Sequence, residues 1–160
     1  MFKKILVPTD GSRLARQSAE AAVELAGHLR AEVVGFVAMP AYKMRIIEDA
    51  VFAPGTLSEV DFSKAVKHNT EKFLGEIEMM AQAAGVSFRG ISETNEQPAV
   101  AIVDAADRNA CDLIFMGSHG RSNIVQIFLG GVTTKVLALS PLPVMVFRSG
   151  KPKSVKRPTS

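Results

Sequence analysis

The sequence predicts an α/β domain built on a doubly wound, five-stranded parallel sheet of order 3-2-1-4-5. Three observations predict it. Short apolar runs such as Ile5-Leu6-Val7 and Leu113-Ile114-Phe115-Met116 have the length of buried strands. They alternate with longer segments of helical spacing, which argues for right-handed βαβ units. After the fourth run comes a loop bounded by glycines, Gly117 to Gly131, reading GSHGRSNIVQIFLGG. In such sheets the ligand loop lies at the carboxyl end of a strand, at the point where strand order reverses. In this order that point falls between strands one and four.

The elements follow in turn. Residues 2–8 are the first strand, and Asp10-Gly11-Ser12 is its turn, with Ser12 suited to cap a helix. That helix runs to about Leu29, its apolar positions Ala15, Ala19, Ala22, Leu25, Ala26 and Leu29 recurring near 3.6. Residues 32–37 are the second strand. Residues 39–62 are broken by Pro40, Pro54 and Gly55 and read as irregular. They are too apolar for a free linker (Tyr42, Met44, Ile46, Ile47, Val51, Phe52) and are expected to pack as a cap, with a ligand lid or partner surface as the rival. Residues 63–84 form the second long helix, its stripe being Val66, Phe73, Leu74, Ile77, Met80, Ala81 and Ala84, and Gly85 sits where a helix stop belongs. A third strand over 86–92 precedes a helix from Pro98 to about Arg108, with Ala99, Ile102, Val103 and Ala106 facing the core. Strand 113–116, the glycine loop, helix 132–139 and strand 143–147 complete the chain.

The 160 residues suit one domain over 1–148, followed by a basic tail over 149–160. A chain of this size buries roughly 68–70% of its unfolded surface, so its core requires neither disulfide nor metal. Cys111 is the only cysteine, which excludes an intramolecular disulfide and fits a reducing compartment. No apolar run approaches the roughly 20 residues of a membrane span, and no signal peptide is visible. A cytoplasmic location is the expectation. The net charge is +3. The tail, with Lys151, Lys153, Lys156 and Arg157, holds +4 of it and leaves residues 1–148 at −1. The tail reads as a solvated, disordered end, and no specific nucleic-acid partner is expected, since such binders carry their basic stripe on a structured face.

Glycine lets backbone approach a ligand closely, and N–H groups at a helix start favour anions. The Gly117–Gly131 stretch therefore points to a phosphate-binding loop, although strand-to-loop turns also use glycine for geometry alone. Asp10 suits ribose hydroxyls or an adenine amine as an acceptor, and equally suits a turn or cap. Ser118-His119 invites a hydrolase reading, but adjacent residues rarely form a nucleophile–base pair and the elbow pattern G-x-S-x-G is not met. His119 keeps a claim on the pocket as a loop histidine. His28 and His68 lie on separate helices, so no metal cluster is expected, and no catalytic residue. Cys111 reads as a small core residue.

Gly117-x-x-Gly120, nine residues, then Gly130 and a small residue resembles the nucleotide loop of the universal stress protein family, G-x-x-G-x(9)-G-[S/T]. The opening ILVPTDGS from Ile5 to Ser12 and the closing PLPVMV from Pro141 to Val146 are similar to that family's first and last strands. The resemblance implies an adenine nucleotide alpha hydrolase-like fold and a module binding ATP, with or without Mg²⁺, with little or no turnover. Its implied binding set is Pro8, Thr9, Asp10, Val37, Met116, Gly117, Gly120, Arg121, Gly130, Gly131, Val132 and Thr133. Pro8, Asp10 and Val37 fall near adenine and ribose, and the glycine backbone holds the phosphates. A side chain at Gly117 or Gly130 is expected to intrude on bound phosphate. Gly131 departs from the Ser or Thr of nucleotide-binding members, and Thr133 is the candidate to supply the missing hydroxyl. A nucleotide-free member acting through protein partners is the alternative. The resemblance also implies a homodimer through strand 143–147.

Overall fold

The computed structural model describes residues 1–40, 58–119 and 129–149. The elements are β1 (Lys4–Pro8), α1 (Arg13–Leu29), β2 (Glu32–Met39), α2 (Glu59–Ala83), β3 (Phe88–Thr94), α3 (Pro98–Arg108), β4 (Leu113–Gly117), α4 (Gly131–Leu139) and β5 (Val144–Phe147). The five strands form one parallel sheet in the order β3-β2-β1-β4-β5, as the alternation of strand and helix predicts. β1 is central. It pairs with β2 from Lys4↔Glu32 to Pro8↔Phe36 and with β4 through Ile5↔Leu113 and Leu6↔Ile114. The Asp112 carboxylate accepts the N–H groups of Lys3 and Lys4, at 2.7 and 3.0 Å, and locks the start of β1 to the start of β4.

Helices cover both faces, so the inner strands are apolar on both sides, the usual condition of parallel strands. Ile5, Val7, Val33, Leu113 and Phe115 turn to α1 and α2, where Ala19, Ala22, Val23, Ala26, Ile77 and Ala81 meet them. Their neighbours Leu6, Val34, Phe36, Ile114 and Met116 turn the other way, onto Ile102, Ala105 and Ala106 of α3 and Val136 of α4. The alternation follows from the two-residue period of a strand. The many alanines on α1 and α3 let these helices lie close to the sheet. Among the described residues no helix is long and apolar enough to cross a membrane.

Several boundaries differ from the sequence expectation, most of them by one or two residues. β2 continues to Met39, two residues past 37. α2 begins at Glu59, four residues before 63, because Ser58 caps it: its Oγ accepts the Asp61 N–H at 3.2 Å and donates to the Asp61 carboxylate at 2.7 Å. Ala84, expected on the α2 stripe, is instead the exposed C-cap. β3 starts at Phe88 rather than Val86. Gly85 has φ +66°, and the chain closes α2 with Gly85 N–H to Gln82 O and Val86 N–H to Ala81 O, at 3.1 and 2.8 Å. This is a Schellman stop, in which the residue after the glycine folds back on the helix. Val86 is therefore buried as the plug of that stop and does not open the strand. Of the expected irregular loop, residues 41–57 lie outside the described residues, as does the tail from 150 to 160.

Candidate functional site

The β1–α1 turn is built by short polar side chains. The Thr9 N–H donates to Phe36 O at 2.9 Å, extending the β1–β2 ladder by one step. The Asp10 carboxylate accepts the Ser12 N–H at 2.9 Å, and the Thr9 hydroxyl accepts the Gly11 N–H at 3.2 Å. Gly11 has φ +75°, a conformation that side chains disfavour. Ser12 then caps α1 by accepting the Ala15 N–H. Asp10 thus fills the turn role foreseen for it, and it also faces a cavity.

On the other side of that cavity, β4 ends at Gly117. Ser118 is buried, at 1% exposure, and is a junction: its N–H donates to Phe147 O at 2.8 Å, and its carbonyl accepts the Gly130 N–H at 2.7 Å. The Thr133 hydroxyl donates to Gly117 O at 3.0 Å. These bonds bring the first turn of α4 back against the end of β4. Gly130 is the N-cap and has no side chain with which to cap, and the first N–H groups of a helix have no acceptor within it. The backbone N–H groups of Gly131, Val132 and Thr133 begin α4 at the cavity wall, where the helix dipole favours an anion.

The cavity has a volume of about 360 Å³, within the range of roughly 300–1,000 Å³ seen for small-molecule sites. Of the twelve residues picked from the sequence, nine line it: Pro8, Thr9, Asp10, Met116, Gly117, Gly130, Gly131, Val132 and Thr133. Gly120 and Arg121 lie outside the described residues, with Ser122 and Asn123. Val37 is not on the wall; Phe36 and Ala38, its neighbours of opposite parity on β2, are. The register Pro8↔Phe36 fixes that parity. Pro98 and Ile102 of α3 and Ala15 of α1 complete an apolar end. Sequence reasoning missed these five, since only packing shows which core residues also border an opening. Pro98 and Ile102 carried one usable signal, a helix starting near the carboxyl edge of the sheet.

Two chemical expectations change. The single proton of the Thr133 hydroxyl is committed to Gly117 O, so the side chain cannot donate to phosphate in its place. At Gly117 an added Cβ would lie 3.3 Å from Leu14 Cγ and 3.5 Å from His119 O, so a side chain there presses on α1 as well as on a residue of the cavity wall. His119 lines the cavity, with Nδ1 2.9 Å from Ser118 Oγ. Ser118 itself is not on the wall, so the pair offers no nucleophile to a ligand. Cys111 is buried, and burial pushes its thiol up to about 11. Among the described residues no group of three or more His, Cys, Asp or Glu could hold a metal ion.

A parallel sheet of this order, with a cavity at its switch point between β1 and β4, places the chain among the doubly wound α/β proteins, a class in which ligands bind at the carboxyl edge of the sheet. The universal stress protein family model matches residues 1–148, and the chain belongs to that family. It is similar to Universal stress protein MJ0531 of Methanocaldococcus jannaschii, with 31% identity over 156 residues, covering 96% of this chain and 85% of the relative. It is also similar to Universal stress protein YxiE of Bacillus subtilis, with 32% identity over 152 residues, covering 92% and 100%. Among solved structures, hypothetical protein MJ0577 superposes with a TM-score of 0.77 at 26% identity, covering 94% of this chain and 99% of that one. A universal stress protein in complex with cAMP has a TM-score of 0.64 at 23% identity, covering 93% and 99%. One from Archaeoglobus fulgidus in complex with dAMP has 0.58 at 19%, covering 90% and 96%. The fold is the adenine nucleotide alpha hydrolase-like one.

Proposed function

We propose that this chain is a regulatory module that binds ATP or a related adenine nucleotide in the crevice between β1 and β4, with little or no turnover. Nine residues from three separate stretches of sequence meet in one cavity, and that convergence carries the reading. The cavity is apolar at one end, with Phe36, Ala38, Ile102 and Pro98, which suits a purine. Asp10, in the turn at its mouth, suits ribose hydroxyls as an acceptor. The start of α4 suits phosphate through the N–H groups of Gly131, Val132 and Thr133. Gly120 and Arg121 are assigned to phosphate binding by the sequence resemblance alone. That two proteins of this fold take cAMP and dAMP is consistent with an adenine ligand here. Asp10 is the one carboxylate on the described wall, so Mg²⁺ would arrive held by the nucleotide phosphates.

We further propose a cytoplasmic homodimer joined through β5, the edge strand beside β4. Met145 on that strand and Leu137 and Leu139 on α4 are exposed apolar side chains, which an unpaired edge would leave to water. Isothermal titration calorimetry with ATP and Mg²⁺, repeated with AMP and cAMP, tests the ligand. Binding at micromolar to millimolar Kd is the expected result. A flat titration with all three at millimolar concentration would sink the nucleotide reading and leave a member acting through protein partners alone.

A further inference from the structure

Gly11 is closed from above by a residue that is not part of the crevice. A Cβ built on Gly11 would lie 2.2 Å from Cε1 and Cζ of Phe73 and 2.6 Å from its Cε2. No real Cβ tolerates that separation, so the tip of the Phe73 ring occupies the space that a side chain at position 11 would take. Phe73 belongs to α2, some sixty residues along the chain, and does not line the cavity. One turn further along α2, Glu76 sits 3.8 Å from the Arg16 guanidinium of α1, a second tie between the same two helices. The ring therefore bears on the turn whose side chains, Thr9 and Asp10, do line the cavity. Two short local bonds shape that turn, Ser12 N–H to Asp10 and Gly11 N–H to Thr9, and the Thr9 N–H ties its start to Phe36 O of β2 at 2.9 Å. Bonds between residues two apart move with the turn. The Phe73 ring, packed from another helix onto Gly11, adds a tie to the rest of the molecule beyond Thr9.

We infer that Phe73 is a positioning residue for the crevice: through Gly11 it sets where the Asp10 carboxylate stands relative to α4. This inference rests on the nucleotide reading of the crevice given above. Affinity then depends on a side chain that never touches the ligand. The geometry also dictates which substitutions matter. Cζ is among the ring atoms nearest Gly11, so a hydroxyl added there, as in Phe73→Tyr, strikes the turn instead of preserving it. Phe73→Leu keeps apolar bulk but withdraws the tip.

The test is calorimetry with ATP and Mg²⁺ on wild type, Phe73→Leu, Phe73→Ala and Phe73→Tyr, with Ile77→Val as control. Ile77 is buried on the same helix and faces the sheet core, so its truncation lowers Tm without reaching the turn. Amide ¹H–¹⁵N shifts of Gly11 and Ser12 in the ligand-free proteins report the turn directly. The expected result is a Kd raised about tenfold in the three Phe73 variants, the scale of one misplaced charged hydrogen bond. Their Gly11 and Ser12 shifts should move, while Ile77→Val binds as wild type at a comparable loss in Tm. If Phe73→Leu stays folded and binds ATP as tightly as wild type, the positioning role is overturned and the crevice reading stands. If Ile77→Val loses as much affinity as Phe73→Leu, the effect is general loosening and the inference is again overturned. If wild type binds no nucleotide, the crevice reading fails and takes this inference with it.

Discussion

Gly131 is where the chain departs from the nucleotide-binding pattern, and its geometry makes the departure reversible. It opens α4 with helical backbone, and nothing lies within 4 Å of a Cβ built there. Gly131→Ser therefore fits without strain and adds a hydroxyl beside the free start of the helix. ATP should bind more tightly, by at most the ten- to a hundred-fold that a charged hydrogen bond of about 1.5–3 kcal/mol corresponds to. Calorimetry on the two proteins decides it, and an unchanged Kd would mean that the hydroxyl does not reach phosphate. Thr133 cannot compensate at present, because its proton is held by Gly117 O. Thr133→Val should leave that buried carbonyl unpaired and cost about 1–3 kcal/mol in urea unfolding. Cys111 gives a pH signature. Burial raises its thiol from 9.0 to about 11, so between these values the unfolded chain releases a proton that the folded chain retains. Stability from this group is complete below pH 9 and falls as pH rises toward 11. Cys111→Ala should flatten that limb of the stability–pH curve, and the native thiol should react with a disulfide reagent far more slowly than the denatured one.

The elements were legible in proportion to how local their signals are. α1 was readable because Ser12 and the alanine spacing are both in the sequence, and α3 because Pro98 marks its first turn. The start of α2 was missed although Ser58 with Asp61 is a local cap signal; the prolines upstream made the whole stretch read as irregular. The start of β3 was missed for a different reason. Val86 looks like a strand residue, and only the fold-back at Gly85 shows that it plugs the helix end instead. Gly85→Ala tests that stop: no atom lies within 4 Å of the added methyl, so the cost should be the left-handed backbone alone, about 1–2 kcal/mol. In the crevice, the glycines and Asp10 were readable as chemistry, but Phe36 against Val37 is a matter of strand parity, which needs the register. β5 carries the assembly prediction. Pro143 O and Phe147 O accept from Ile114 and Ser118, so the odd-numbered residues of β5 face β4 and Val146 points its N–H to the open edge. Val146→Pro should preserve the fold, seen as an unchanged far-ultraviolet spectrum, and turn a dimer into a monomer by sedimentation. A wild type that is already a soluble monomer at tens of micromolar would overturn the edge-pairing proposal.

At the scale of the molecule, both faces of the sheet and both sides of β1 are committed, and the crevice is the gap left where the two halves part. A ligand there touches β1, β2, β4, α3 and α4 at once. Nucleotide at a hundred times its Kd should therefore add about 2.7 kcal/mol to unfolding, or roughly 5–10 °C in Tm for a domain of this size. A scanning calorimetry series with and without ATP measures it. The same central placement of β1 governs how the protein is made. β1 leaves the ribosome first, yet its partners at β4 and Asp112 are 108 and 109 residues away from Lys4 and Lys3. At about 5–20 residues per second, the strand at the heart of the sheet waits roughly 5–20 s with one edge unpaired. Synthesis must pass β4 before the sheet can close, so a nascent chain stalled before Leu113 carries an open apolar edge. Such an edge is an aggregation hazard until the later strand arrives.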